Sequence, residues 1–421
     1  MTSNASAGSA YGVTAESNAR NYRPALFVLT SLFFMWGLIT SLNDILIPHL
    51  KAIFTLSYVQ AMLIQFSFFG AYFVMSVPSG YLVEHLGYRR GIIIGLTTAG
   101  VACAGFYPAA SLQSYPLFLA ALFVLASGIT LLQVAANPYV AILGSPQTSA
   151  SRLNLTQAFN SLGTTVGPFL GSMLILSVVA GSGAAGAARE IETVQGPYLA
   201  LAAVLFAIAI VFAQFKLPVV TGMDATTAED AGPARSVWQH SHLVLGAVAI
   251  FVYVGAEVAI GSFLVNFMAE PHIGGLDEAT AGRYLSLYWG GAMVGRFIGA
   301  YLLRKVKPGY LLAFNASVAI ALLIVAMSTA GTTAMWAVLA IGLFNSIMFP
   351  TIFTLAIARL GRHTGEGSGV LCMAIVGGAI VPVVQGYFAD NMGVLMSFFV
   401  PVICYAYIVY YGLKGHEVRN G

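Results

Sequence analysis

Two carboxylates stand in stretches that otherwise avoid charge. Asp44 lies inside "FFMWGLITSLNDILIPHLKAIF", residues 33–54, with no cation in sequence until Lys51; Glu257 lies inside "YVGAEVAIGSF". A charged side chain at the centre of a membrane helix costs about 2.5–3.5 kcal/mol on insertion scales. An acid kept there is protonated, paired with a distant cation such as Arg296, or functional. The functional forms are a site for a coupling proton or metal cation and an acceptor for a bound substrate.

Neutral amides cluster with them. Gln133 and Asn137 stand i, i+4 in "LLQVAANPYV", and Asn154, Gln157, Asn160 and Ser161 share helical spacing in "RLNLTQAFNSLG". Asn43 adjoins Asp44, and Gln65 follows in the next apolar stretch. Amides can also tie membrane helices together, at about 0.6 kcal/mol each on average. A stripe on several helices is better explained by a lined cavity, and uncharged donors and acceptors beside carboxylates suit a ligand rich in hydroxyls. A phosphate or carboxylate substrate would instead call for embedded Lys or Arg. Only Arg296 is available, eight residues before Arg304, and it reads as snorkelling to the inner surface or serving the inner gate. Trp36, Tyr253, Tyr284, Tyr288 and Trp289 offer faces on which a sugar could stack or helices could pack.

The elements that position these groups are membrane spans. The chain is 58% hydrophobic and 8% charged with mean hydropathy +0.85, against about a quarter charged for a soluble domain. Twelve stretches are long enough to cross a bilayer: 24–50, 57–83, 90–110, 114–143, 152–178, 195–215, 240–269, 279–303, 309–329, 332–358, 366–389 and 393–413. Residues 1–23 read as a disordered tail, 217–238 as a linker and 414–421 as a second tail. With the N-terminus inside, fourteen of the eighteen Lys and Arg fall on the cytoplasmic side; Lys51, Arg189 and Arg283 fall outside, and Arg296 lies in a span. Both termini are therefore expected in the cytoplasm. The net charge of +3 is a topology signal and indicates no nucleic-acid partner. Cys103, Cys372 and Cys404 all fall inside spans, so neither a disulfide framework nor a zinc site is indicated.

The sequence also repeats. Gly37 and Gly255 are 218 residues apart, "GYLVEHLGYRRG" returns as "GAYLLRKVKPG", and "GTTVGP" returns as "GGAIVP" at a similar offset. Six spans per half is an even number, so the halves, 24–216 and 239–413, insert the same way up. That is the arrangement of a major facilitator transporter, an all-α integral membrane protein of twelve helices in two parallel six-helix halves, with its site near the midplane between them. Adding 218 to Asp44 gives Ser262, and subtracting it from Glu257 gives Ile39. Each half carries one deep acid that its twin lacks, so neither acid is needed to build a half.

"SLNDILIPHL", "LLQVAANPYVAILG", "RLNLTQAFNSLGTTVGPFLG", "FVYVGAEVA" and "FPTIFTLAIARLG" resemble the fucose:proton symporter family of the major facilitator superfamily, in its glucose/galactose branch. The resemblance runs from about residue 25 to the C-terminus. It implies an alternating-access sugar symporter in the inner membrane of a Gram-negative bacterium. It also implies that Asp44 takes part in sugar binding or proton coupling, and that Gln157 and Asn160 contact sugar. Gln133 stands where the fucose branch has a glutamate, and Glu257 where that branch tends to have a glutamine, which makes Glu257 a leading candidate for coupling. Relatives in this branch include sodium-coupled ones, and a carboxylate near hydroxyls such as Ser262 can hold Na⁺ as well as a proton. Na⁺ at Glu257 or Asp44 therefore stays open. In the loop after the second span, Glu84-His85 replaces the common Asp-Arg pair. Gly80, Glu84, Gly87, Arg89 and Arg90 are expected to latch the cytoplasmic side, with Arg296 at the inner gate.

The expected function is cation-coupled import of a hexose such as glucose or galactose, with no cofactor beyond the coupling ion, as a monomer in the lipid bilayer. The alternatives are transport of another polar solute (fucose, a nucleoside or a drug) and a non-transporting sugar sensor. An enzyme is not indicated: the seven histidines sit at span ends, loops or the tail, and no HExxH, nucleophile elbow or P-loop occurs.

Overall fold

The computed structural model describes residues 24–40, 58–171, 186–214 and 236–418, and among these there are helices and turns but no strand. Twelve helical segments follow one another: α1 (Pro24–Thr40), α2 (Tyr58–Leu86), α3 (Tyr88–Ser111), α4 (Tyr115–Ile142), α5 (Ser149–Gly171) and α6 (Gly186–Gln214), then α7 (Ser241–Ala269), α8 (Glu278–Leu302), α9 (Pro308–Ser328), α10 (Gly331–Ala356), α11 (Gly361–Met392) and α12 (Val394–Gly415). Only helices can cross lipid with every backbone group paired inside one segment, so a chain this apolar has little else to build from. The expected tail at 1–23, residues 41–57 and residues 217–235 of the linker lie outside the described residues.

The helix limits have local causes. Gly87, at φ +81° and ψ 161°, turns the chain between α2 and α3 within one residue, and Gly393 does the same between α11 and α12. That backbone region is essentially restricted to glycine. Asp277 caps α8 by accepting from the Thr280 amide at 3.0 Å. α6 starts nine residues before the span expected at 195, because "GAAREIET" propagates the helix beyond its apolar part.

Among the described residues eight helices are long and apolar enough to cross a membrane; α1 and α6 have shorter apolar stretches there, and α5 and α8 are in neither group. One face of each lies between the two halves, where α5 packs against α8 and α10 as α2 packs against α11, and that inner face is where Asn154 and Ser161 on α5 and Arg296 on α8 are tolerated.

Glycine contacts repeat between the halves. A side chain at Gly163 would strike the Phe34 carbonyl, and one at Gly377 the Phe251 carbonyl. α5 thus crosses α1 as α11 crosses α7, with backbones in contact. The halves diverge elsewhere. α4 is continuous, whereas α10 is interrupted between Asn345 and Met348, and α11 passes through a tighter turn at Ala374–Val376. Pro350 explains part of the α10 break: it lacks the N–H that would pair with the Ser346 carbonyl.

Candidate functional site

The halves meet at the end of the bundle where Arg89, Arg90, Arg304 and Lys305 cluster, called here the basic end. On α5, Ser151 donates to the Ala300 carbonyl at 2.5 Å and Asn154 to Thr351 Oγ1 at 3.4 Å. Ser368 on α11 donates to the Val134 carbonyl on α4 at 3.0 Å. Gly80 packs against Gly365 and Gly369, and Tyr81 donates to Glu366 at 3.2 Å. Glu84 stands with His363 and Glu366 in the same seam. Arg89, expected to latch this side, instead donates to the carbonyls of Phe212 and Ala213 at the end of α6, within its own half. Those carbonyls close a helix and have no partner of their own. Arg90 is exposed.

Arg296 spans the gap. Its Nε donates to the Ser346 carbonyl at 3.1 Å, the acceptor that Pro350 leaves open, and one terminal nitrogen donates to the Gln157 carbonyl at 3.4 Å and to Ser161 Oγ. The side chain is half-buried and turned across to α5 rather than snorkelling to the surface.

Next to it lies a network of polar groups in the second half. The Tyr253 hydroxyl stands 2.8 Å from Glu257 Oε1 and 3.0 Å from the Asn345 carbonyl. It has one proton and can donate to only one of them at a time. Tyr288 donates to the Glu257 carbonyl at 3.3 Å and accepts from Asn345 Nδ2 at 2.8 Å, while Tyr405 donates to Asn345 Oδ1 at 2.7 Å. Tyr253, Tyr288, Tyr405 and Asn345 are fully buried, whereas Glu257 is half-buried near the middle of α7. Asn345 and Tyr405 escaped the sequence reading. Asn345 carried a signal, a lone amide in "LAIGLFNSIMFP" five residues before a proline; Tyr405 looks like any tyrosine of an apolar helix.

Trp289 packs edge-on to Tyr288, with ring centroids 5.1 Å apart, and lies across Gly261, one turn beyond Glu257 on α7. It precedes Arg296 by seven residues, two turns and about 20° around α8, so it shares the face turned to the first half, and it is 42% exposed. Ser262 is exposed and five residues from Glu257, about 140° around α7. The structure does not bring Ser262 to the acid.

The amides expected to line a cavity are instead paired with protein. Gln133 donates to the Tyr72 hydroxyl at 2.5 Å, Gln157 to Asn137 Oδ1 at 3.3 Å, and Asn160 to the Phe33 carbonyl at 3.0 Å. The stripe on α5 is split: Asn154 and Ser161 face the second half, and Asn160 ties α5 to α1. Asn137 Nδ2 and Asn154 Oδ1 are buried without a partner. Of these amides Asn160 alone is half-buried; Gln133, Asn137, Asn154 and Gln157 are buried. Asn43 and Asp44 lie outside the described residues, as does the side chain of Gln65.

The family model of the Major Facilitator Superfamily matches residues 27–382. A glucose/galactose transporter of Brucella abortus is 58% identical over 96% of this chain and 97% of its own length. A putative glucose/galactose transporter of Helicobacter pylori is 48% identical over 93% and 97%. Crystal structures of FucP, the E. coli fucose:proton symporter, align at TM-score 0.85 with 33% and 34% identity over 93% of this chain and 98% of theirs, and one is in the outward conformation. The chain belongs to the major facilitator superfamily, in the group formed by the glucose/galactose transporters and the fucose:proton symporter.

Proposed function

We propose that this protein carries a hexose such as glucose or galactose across the inner membrane together with a proton, by alternating access, with its basic end in the cytoplasm. The observation that carries the coupling is Glu257, an acid at membrane depth sharing one tyrosine proton with the break in α10. The similarity to glucose/galactose transporters over nearly the whole chain supports the substrate.

The chemistry follows from donor counting. With Glu257 protonated, its O–H donates to the Tyr253 oxygen, and Tyr253 donates to the Asn345 carbonyl. With Glu257 ionised, the carboxylate accepts only, Tyr253 turns its proton to it, and the Asn345 carbonyl loses that donor. The next carbonyl along, that of Ser346, holds Arg296 and through it the first half. Protonation of one acid thereby changes the backbone that anchors the contact between the halves. The closed seam at the basic end fits an outward-facing state, in which sugar and proton enter from the other side.

Sodium fits this site less well. A Na⁺ needs several oxygens, often carbonyls of an unwound helix. Here the carbonyls of the α10 break already accept from Tyr253 and from a fixed cation, and Ser262 is turned away. Hexose binds with its apolar face on Trp289, one turn from Glu257, and with hydroxyls reaching Asn160.

The test is uptake of radiolabelled glucose into proteoliposomes under an inward proton gradient or an inward sodium gradient, imposed separately. The proton gradient drives accumulation, and Glu257→Gln abolishes accumulation while leaving glucose–glucose exchange. Accumulation driven by sodium alone, or a fully concentrative Glu257→Gln, refutes the coupling.

A further inference from the structure

On the flank of the second half, α8, α9 and α10 leave a crevice of about 130 Å³ whose inner wall, at Leu311 and Ile347, backs onto the seam at Ala150. Its walls are almost wholly apolar, and Ile298, Phe314 and Leu343 at its mouth are exposed on a surface that meets lipid. Gly295 and Ser346 form part of its floor. Towards the basic end it runs between Leu302 and Leu311, the last residue of α8 and the fourth of α9. The loop between those helices carries Arg304, Lys305 and Lys307, all exposed, of which Arg304 donates from Nε to Ser151 Oγ across the seam at 3.4 Å. No salt bridge to any of the three is found among the described residues. Lys305 lies over the ring of Tyr301, 4.6 Å from its centroid, which holds it on the lipid-facing side.

A hydrocarbon slot that ends at two exposed lysines with no carboxylate partner among the described residues has the two chemistries of one ligand. We infer that this is a binding site for an anionic phospholipid, with an acyl chain in the crevice and the phosphate between Lys305 and Lys307. Neutral lipid fills the slot equally well but gains nothing from the cations, so the site selects for charge. Each lysine near an anionic headgroup contributes about fivefold to affinity, and the pair up to about 25-fold. The chain also lies against Ser346, whose carbonyl holds Arg296, so a bound lipid braces the α10 break from behind.

The site is tested by native mass spectrometry of the detergent-solubilised protein titrated with phosphatidylglycerol or phosphatidylcholine of the same acyl composition. The wild type retains phosphatidylglycerol in preference, by tenfold or more. The exposed double change Lys305→Gln and Lys307→Gln brings the two lipids to within about twofold, whereas Arg283→Gln, the same kind of charge loss at the other end of α8, leaves the preference intact. Ile298→Trp, at the crevice mouth, lowers retention of both lipids. Equal retention of the two lipids by the wild type, an unchanged preference in the lysine variant, or normal retention in Ile298→Trp overturns the inference. None of these readouts depends on which sugar or ion is carried.

Discussion

Arg296→Met cuts the contact between the halves at a defined point. Arg296 makes two hydrogen bonds to α5, to the Gln157 carbonyl and to Ser161, and one to the Ser346 carbonyl inside its own half. Only the first two exist in the closed seam and are lost when the basic end opens. Hydrogen bonds to charged groups contribute about 1.5–3 kcal/mol each; the Gln157 contact is long at 3.4 Å, so the pair together is taken at about that range. Removing it raises the population open at the basic end by about 10- to 150-fold. Ala150 is 3% exposed, packed in this seam with Leu303, Leu311 and Ile347, and reports that population as a cysteine. The rate of maleimide labelling at Ala150→Cys, with Cys103, Cys372 and Cys404 replaced by alanine, rises at least tenfold when Arg296→Met is added. Arg296→Lys, which keeps the charge and loses the fork, falls between. An unchanged labelling rate in Arg296→Met refutes the view that this side chain holds the halves together.

Three further outcomes follow from the same geometry. Asn345→Leu leaves the buried Tyr405 hydroxyl without its acceptor and takes a donor from Tyr288, which lowers stability by about 2–4 kcal/mol, read as an earlier thermal unfolding in detergent. Gly163→Val and Gly377→Val each drive a side chain into a carbonyl of the facing helix, so both destabilise the protein, and to similar extents in the same melting assay. Trp289→Leu removes the stacking face and raises the KM for glucose by about 2- to 10-fold with kcat largely retained, whereas Trp289→Phe restores most of the affinity.

Much of the fold was legible because the bilayer imposes it. Span length and the repeat at 218 are coarse patterns that no single contact can overturn. The site was legible in its residue types and not in its partners. Glu257 stands out in any reading of an apolar helix. That its carboxyl shares a tyrosine with the α10 backbone depends on how α7, α8 and α10 cross, which no local pattern encodes. The polar stripe on α5 shows the limit from the other side: periodicity placed Asn154, Gln157, Asn160 and Ser161 on one helix correctly, but a stripe is wide enough to face α1, α4 and the second half at once. Periodicity gives the direction of a side chain to within a quarter turn, and a quarter turn separates a cavity from a neighbouring helix.

The repeat sharpens the reading of the parts that do not repeat. Two halves grown from one pattern share the glycine crossings at Gly163 and Gly377, which is what building a half requires. They do not share Glu257, whose counterpart is Ile39, nor Pro350, which stands opposite Gln133 on the continuous helix α4. In the first half Pro138 leaves the Val134 carbonyl to the Ser368 hydroxyl and α4 stays continuous; in the second, Pro350 leaves the Ser346 carbonyl to a cation from α8 and α10 is interrupted. A break and an acid at membrane depth are each costly in a membrane, and each is absent from the twin that folds without it. Their meeting in one network, through Tyr253, Asn345 and Arg296, is the asymmetry that a coupled carrier needs: one half supplies a frame, and the other holds the element whose hydrogen bonds change with a proton.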